Sequence, residues 1–198
     1  MSSAGRQISS LTLDRAQDVP DPCASCIFWE LDPALAAASI ARGGPGLDKE
    51  AWLSAAMLEW GSVGQIAYVD GVPAGYVTYA PPYLVPRAAA FPTAPVSADA
   101  VILMTARVVP DFAGQGLGRV LIQSAAKDVM RRGVRAIEAF GYRGDPDSPK
   151  AGCLIPVGFL TAVGFKTVRA HRTYPRRRLD PRTDLPWRER MEAATERR

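Results

Sequence analysis

Residues 101–133 read VILMTARVVPDFAGQGLGRVLIQSAAKDVMRRG, and this stretch decides the fold. Val101–Val109 is apolar nearly throughout, as expected of a strand buried on both faces, and Pro110 ends it. Ala113–Gly118 then runs Ala-Gly-Gln-Gly-Leu-Gly. Leu117–Arg132 is amphipathic: Leu121, Ile122, Ala125, Ala126, Val129 and Met130 share one stripe, and Gly133 closes the helix at C′. Strand, glycine turn and helix is the order in which a chain builds a phosphate cradle. Glycines let successive backbone N–H groups turn into one concavity, and the helix adds the positive end of its dipole. Three glycines alone specify little, and the flanking strand and helix give them weight. A tight strand-to-helix turn without a ligand is the alternative.

Outward from this core, Ile8–Leu13 reads as a first strand and Asp18–Cys26 as a proline-rich turn. A short helix falls around Pro33–Ala41, with Pro33 suited to a first turn. A second spans Leu47–Trp60, its Ala51, Trp52, Ala55, Ala56, Leu58 and Glu59 near one side. Gln65–Val69 and Ala74–Tyr79 flank Asp70-Gly71, a pairing that accepts positive φ and marks a hairpin. Pro81–Ala98 carries five prolines, and such long irregular segments are either binding loops or surface connections. Arg135–Phe140 is a further strand, followed by a loop over Gly141–Gly152. A short helix ends at Gly164, Phe165–Ala170 and Arg176–Leu179 form a closing hairpin, and 187–198 reads as a terminal helix.

The 198 residues suit one domain with its own core, needing neither disulfide nor metal support. No run approaches a membrane span and the first twenty residues lack a signal-peptide core, so the cytoplasm is the expected location. The net charge of +4 is uneven: residues 166–198 hold 11 Lys/Arg against 5 Asp/Glu. A basic end of this kind touches acidic partners or stays solvated, and without interleaved aromatics it argues weakly for nucleic acid. Cys23 and Cys26 form a Cys-x-x-Cys pair, with Cys153 and the sole histidine, His171, far along the chain. That spacing does not argue for a tetrahedral metal site; zinc at Cys23/Cys26 and redox chemistry are alternatives to free thiols.

The element order resembles the GNAT superfamily of acyl-CoA-dependent N-acetyltransferases over roughly Ile8 to Asp180. Three stretches carry the resemblance: Val108–Ile122, the Asp70-Gly71 hairpin with Pro73-Ala-Gly75-Tyr, and Phe159-Leu-Thr-Ala-Val-Gly-Phe165. It implies an α/β (α+β) fold over residues 6–182: a twisted, mixed, mostly antiparallel sheet of six to seven strands flanked by about four helices. Residues 183–198 remain as a basic tail. It implies acetyl-CoA as co-substrate, no metal, an amine-bearing acceptor, no membrane or nucleic-acid partner, and a monomer or homodimer.

The resemblance also assigns roles. Amides of Ala113, Gly114, Gln115, Gly116, Leu117, Gly118 and Arg119 would hold the pyrophosphate, with Arg119 adding a charge-assisted contact. The central strand would splay near Ala106, Arg107 and Val108, pairing with the pantetheine arm, and the Val108 N–H would face the thioester carbonyl. Cys153 stands where the family often has an asparagine beside the cofactor. The chain departs from the family at three places: Ala113 replaces Arg or Gln, Leu160 a frequent tyrosine, and Val101–Val109 lacks a carboxylate. Proton-transfer candidates are therefore Glu138, a carboxylate in an apolar strand, and Tyr142 just beyond, with Tyr79 and Tyr83 as further phenols. Glu138 reads somewhat more readily as a structural carboxylate, leaning outward or paired with an arginine. Glu30, Glu59 and Trp60 would flank the acceptor groove. The expected activity is acetyl transfer to an amine; the alternative is a weakly active or inactive acyl-CoA-binding sensor or scaffold.

Overall fold

The computed structural model describes residues 5–183. The basic tail beyond residue 183, with the terminal helix expected at 187–198, falls outside the described residues. Eight strands form a single mixed sheet: β1 (Arg6–Ser10), β2 (Gly64–Val69), β3 (Val72–Ala80), β4 (Ala100–Val108), β5 (Ala136–Tyr142), β6 (Ile155–Pro156), β7 (Lys166–Arg169) and β8 (Arg176–Leu179). The order is β1-β2-β3-β4-β5-β8-β7, with β6 paired to β5. Only β4–β5 and β5–β6 are parallel; the other neighbours are antiparallel. β6, two residues long, is too short to show any periodicity and brings the strand count to eight.

Four α-helices accompany the sheet among the described residues: α1 (Pro33–Ala41), α2 (Pro45–Trp60), α3 (Leu117–Arg131) and α4 (Val157–Ala162). α1 starts where Asp32 accepts from the amides of Ala34 and Leu35 at 2.9 and 3.0 Å, with Pro33 in the first turn. In the β2–β3 hairpin, Asp70 has φ 49° and Gly71 φ 79°, both central residues on the positive side as this two-residue turn requires.

Two apolar cores sandwich the sheet. On one face, Leu117, Leu121, Ile122, Ala125, Ala126 and Val129 of α3 pack with Leu160 and Phe165 onto Val77, Val101, Leu103 and Ile137. On the other, Leu11, Trp29, Leu53 and Ala56 meet Ile66, Tyr76, Ile102, Met104 and Phe140. α2 buries Lys49, Leu53 and Ala56, whereas Leu58 is 91% exposed. The side read from the sequence is thus rotated, because three alanines scattered around the helix leave its apolar phase undefined.

The proline-rich stretch is a packed wall with two 3-10 turns, Pro82–Leu84 and Pro86–Ala90. Phe91 stacks on both Trp29 and Phe140, with centroids 5.4 and 4.3 Å away. Trp52 Nε1 donates to the Leu84 carbonyl at 2.7 Å, and Thr93 Oγ1 to that of Tyr174 at 2.9 Å.

Candidate functional site: a wedge between two parallel strands

β4 and β5 pair only at Ala100–Ala136, Val101–Ile137 and Ile102–Glu138. Beyond that point they diverge. The β3–β4 register skips Met104, since Thr78 faces Thr105 and Tyr79 faces Leu103, and a bulge there bends a strand away from its neighbour. Past the bulge, the Val109 N–H donates to the Ala74 carbonyl at 2.8 Å, so the flanking Gly75–Val108 pair is non-hydrogen-bonded. By the same alternation so is Val77–Ala106. The N–H and C=O groups of Ala106 and Val108 therefore point into the wedge, where β5 offers no ladder partner.

The strand leads through the Pro110–Phe112 turn into Ala113–Gly116. Gly114 and Gly116 have φ of 74° and 78°, and Gly116 is the left-handed N-cap of α3. A residue with a Cβ is disfavoured there by backbone sterics alone, because nothing lies within 4 Å of the Cβ position at Gly116. The Gly114, Gln115 and Gly116 amides have no protein acceptor among the described residues. Leu117, Gly118 and Arg119 occupy the first helical turn, whose N–H groups have no carbonyl one turn earlier. Ala113 is different: its N–H is spent on the Pro110 carbonyl at 3.0 Å. The free amides border a cavity of about 320 Å³ lined also by Val108, Phe159 and Ala162. Arg119 stands at its rim with one nitrogen 2.7 Å from the Ala162 carbonyl.

On the opposite face, a cavity of about 80 Å³ beside Val108 is lined by Tyr76, Arg107, Val109, Pro110, Pro20 and Asp21. Tyr76 is 2% exposed and its hydroxyl has no hydrogen-bond partner in the described structure. Burial, and then the adjacent Cys23, push this phenol up, so it stays protonated. Arg107 Nη1 donates to Cys23 Sγ at 3.3 Å. No carboxylate pairs with Arg107 among the described residues.

A splayed parallel pair running into a free-amide glycine turn is a recognisable architecture, and comparison with known proteins names it. The family model described as "Acetyltransferase (GNAT) family" matches residues 16–149. The chain belongs to the GNAT acetyltransferase family. Among solved structures, the PaiA N-acetyltransferase of Thermoplasma acidophilum with coenzyme A superposes with a TM-score of 0.58 at 11% identity, over 89% of this chain and 99% of that one. A GNAT acetyltransferase of Brucella melitensis with acetyl-CoA gives a TM-score of 0.50 at 14% identity, over 90% and 89%. An acetyltransferase of Thermus thermophilus gives 0.50 at 22%, over 88% and 96%. These likenesses are of fold. A search of curated protein sequences returns no significant match.

In this GNAT protein the sequence candidates separate. Val108, Gly114 and Gly116–Arg119 line one cavity, and Ala106 lies two residues before Val108 on the unpaired edge of β4. Glu138 is fully buried, with Arg176 Nη1 2.6 Å from one oxygen and Arg178 Nη1 3.1 Å from the other. Burial raises its pKa, but hydrogen bonds from Ser97 and Arg178 and the charge of Arg176 outweigh that and hold it below the usual carboxylate range. Arg178 also grips Asp99 through two bonds of 2.8 and 2.9 Å. Tyr142 is 8% exposed, with its ring 5.9 Å from that of Tyr174. Tyr79 donates to Asp128 at 2.7 Å near the far end of α3, and Tyr83 is exposed. Glu30 is buried against Lys49, Glu59 is exposed, and Trp60 packs edge-on to Tyr79, away from the wedge. Cys153 sits just before β6, on the β5 side. Among the described residues no group of three His, Cys, Asp or Glu is placed to hold a metal, and no helix is long and apolar enough to cross a membrane.

Tyr76 was not legible as a functional residue. It lies in an alternating strand run, and only the third dimension shows its hydroxyl orphaned beside Arg107.

Proposed function

We propose that this protein transfers the acetyl group of acetyl-CoA to a primary amine in the wedge between β4 and β5. One observation supports it above the rest: β4–β5 pairing stops at Ile102–Glu138, leaving the Ala106 and Val108 amides facing an open strand edge that runs directly into the free-amide turn. An extended amide-bearing arm adds to such an edge as a strand would. Its anionic end would meet the Gly114–Arg119 amides at the positive end of α3. Arg119 keeps further N–H donors for phosphate besides the one bound to Ala162.

The reaction joins the amine nitrogen to the thioester carbon and breaks the carbon–sulfur bond. The Val108 N–H stabilises charge building on the carbonyl oxygen. The attacking amine sheds a proton as the departing sulfur takes one, so the count closes, and Tyr76, in the cavity that Val108 and Arg107 also line, is the phenol placed to relay it. Glu138, with both oxygens held by arginines, braces the closed end of the wedge, and Tyr142 shapes its far wall. Arg107 disfavours an ammonium at the acceptor mouth and so favours the neutral, nucleophilic amine.

Native mass spectrometry with acetyl-CoA, followed by CoA-thiol release across an amine panel, tests the reading. A one-to-one adduct and amine-dependent release are expected; absence of the adduct at high micromolar acetyl-CoA would sink it. The second reading, an acyl-CoA-binding sensor, is favoured by Leu160, buried in the core where many relatives carry a phenol. It predicts the adduct without release for any amine.

A further inference from the structure

The Cys-x-x-Cys spacing pairs Cys23 with Cys26, yet the fold pairs Cys26 with a residue 127 positions away. Cys26 Sγ lies 3.5 Å from Cys153 Sγ. The same two segments are latched by Trp29 Nε1, which donates to the Cys153 carbonyl at 3.0 Å. Cys23 is buried and engaged by Arg107, whereas Cys26 and Cys153 are half-buried, and all three are free thiols. We propose that Cys26 and Cys153 form a peroxide-oxidisable dithiol, Cys26 attacking and Cys153 resolving, whose disulfide restrains the wedge.

The surroundings divide the two roles. The hydrogen bond with Cys153 lowers the Cys26 pKa below that of a free thiol; burial and the Glu30 charge oppose this, while the Phe28 amide and Lys49 support it. Cys26 is therefore the more readily ionised thiol of the pair, and the thiolate is the form that attacks. Cys153 is pushed up, by Cys26 first and burial second, and retains its proton. Arg107, Cys23 and Tyr76 complete the charged and titratable groups around the pair.

In the first step the Cys26 thiolate attacks one peroxide oxygen and the O–O bond breaks. Cys26 becomes a sulfenic acid, and the other oxygen leaves as hydroxide and takes up a proton to become water. The Cys153 sulfur then attacks the Cys26 sulfur. The S–O bond breaks, and the leaving hydroxide takes the Cys153 proton as a second water. Two thiols lose two electrons, and one peroxide becomes two waters. Reaching a bond of about 2.05 Å from the present separation takes roughly 1.5 Å of closure, within the range of side-chain rotation.

Cys153 immediately precedes β6, which pairs with β5 at Gly141 and Tyr142, the side of the wedge opposite Ala106 and Val108. A disulfide fixes this wall to the segment ahead of α1. Its effect on acetyl-CoA rests on the acetyl-transfer reading: the oxidised chain is expected to bind acetyl-CoA about tenfold more weakly, an ordinary size for coupling between sites.

The test oxidises the reduced full-length chain with hydrogen peroxide. Intact mass should fall by two hydrogens, and tryptic mapping should recover one linked peptide pair carrying residues 26 and 153. Cys23→Ser should keep the link. Cys153→Ser should abolish it and leave a sulfenic acid at Cys26 that dimedone traps. The pH midpoint of iodoacetamide labelling at Cys26 should lie below that of a free thiol and rise in Cys153→Ser, a readout independent of folding yield. A Cys23–Cys26 link, or no link, overturns the dithiol. A 26–153 link with unchanged acetyl-CoA affinity overturns the restraint on the wedge. If even the reduced chain binds no acetyl-CoA, the acetyl-transfer reading and the restraint fall together, while the peptide map still decides the dithiol.

Discussion

Gly75 and Val108 face each other across β3 and β4 as a non-hydrogen-bonded pair, and the closeness of that pair aims the Val108 amide into the wedge. A Cβ on Gly75 would stand 2.7 Å from the Arg107 carbonyl and 3.2 Å from Val108 Cα. Both atoms are backbone, so neither yields without moving β4. Gly75→Ala is expected to weaken acetyl-CoA binding about tenfold or more and to destabilise the fold by about 2 kcal/mol, an overpacking cost. Calorimetric binding and urea denaturation measure the two effects. Unchanged affinity would detach Val108 from the site.

Gly116→Ala tests the cradle without a clash, since its Cβ meets nothing within 4 Å. The cost is conformational, about 1–2 kcal/mol for a left-handed residue. We expect that loss in urea denaturation, together with weaker acetyl-CoA binding as the first turn of α3 re-forms around a different φ.

Tyr76→Phe separates catalysis from folding. Removing an orphaned buried hydroxyl is neutral or mildly stabilising, so the melting temperature should hold or rise. With a responsive amine, kcat should fall about a hundredfold while KM for acetyl-CoA stays put. An unchanged kcat would return the proton-donor role to Tyr142.

Glu138→Gln removes a carboxylate that two arginines surround at zero exposure. Leaving those cations without their partner should cost about 3 kcal/mol in chemical denaturation. The folded fraction should keep its kcat; a large loss of kcat would reinstate Glu138 as a base.

Stability should also fall in acid with a defined sign. Glu138 and Asp99 both titrate below the usual carboxylate range, Asp99 chiefly through its hydrogen bonds to Arg178. Groups depressed in the folded state stabilise it fully above the unfolded carboxylate pKa, about 4. That contribution drains away as pH drops through their lowered folded values. Thermal melts from about pH 7 to about pH 3 should be flat until near pH 4 and then drop. In Glu138→Gln the drop should be shallower.

Local chemistry explains what the sequence reveals. Pro33 opens α1, Asp70-Gly71 turns the hairpin, and the α3 stripe from Leu121 to Val129 is a single unambiguous phase; each signal spans a few residues. The glycine turn with its flanking strand and helix is legible for the same reason. What stays hidden depends on partners distant in the chain. The partners of Glu138 lie 38 and 40 residues away, and Cys26 meets Cys153 across 127. Local signals also fail where they are diffuse, as in α2, whose alanines set no phase, and in β6, too short for periodicity. Ala113 shows the finest limit: the motif includes it, but the preceding turn consumes its amide.

The arginine–carboxylate cluster at Glu138 sits at the pivot of a pair of jaws. β5 runs on from Glu138 to Tyr142, a lever of roughly 13 Å. A tilt of about 5° at the pivot moves the tip by about 1 Å on an arm of that length. β8 follows β5 along that arm through Ala139–Arg177 and Phe140–Arg176, so the two strands would carry any such tilt together. The grip of two cations on one carboxylate thus holds β5 and β8 together at the last residue that β4 still pairs with.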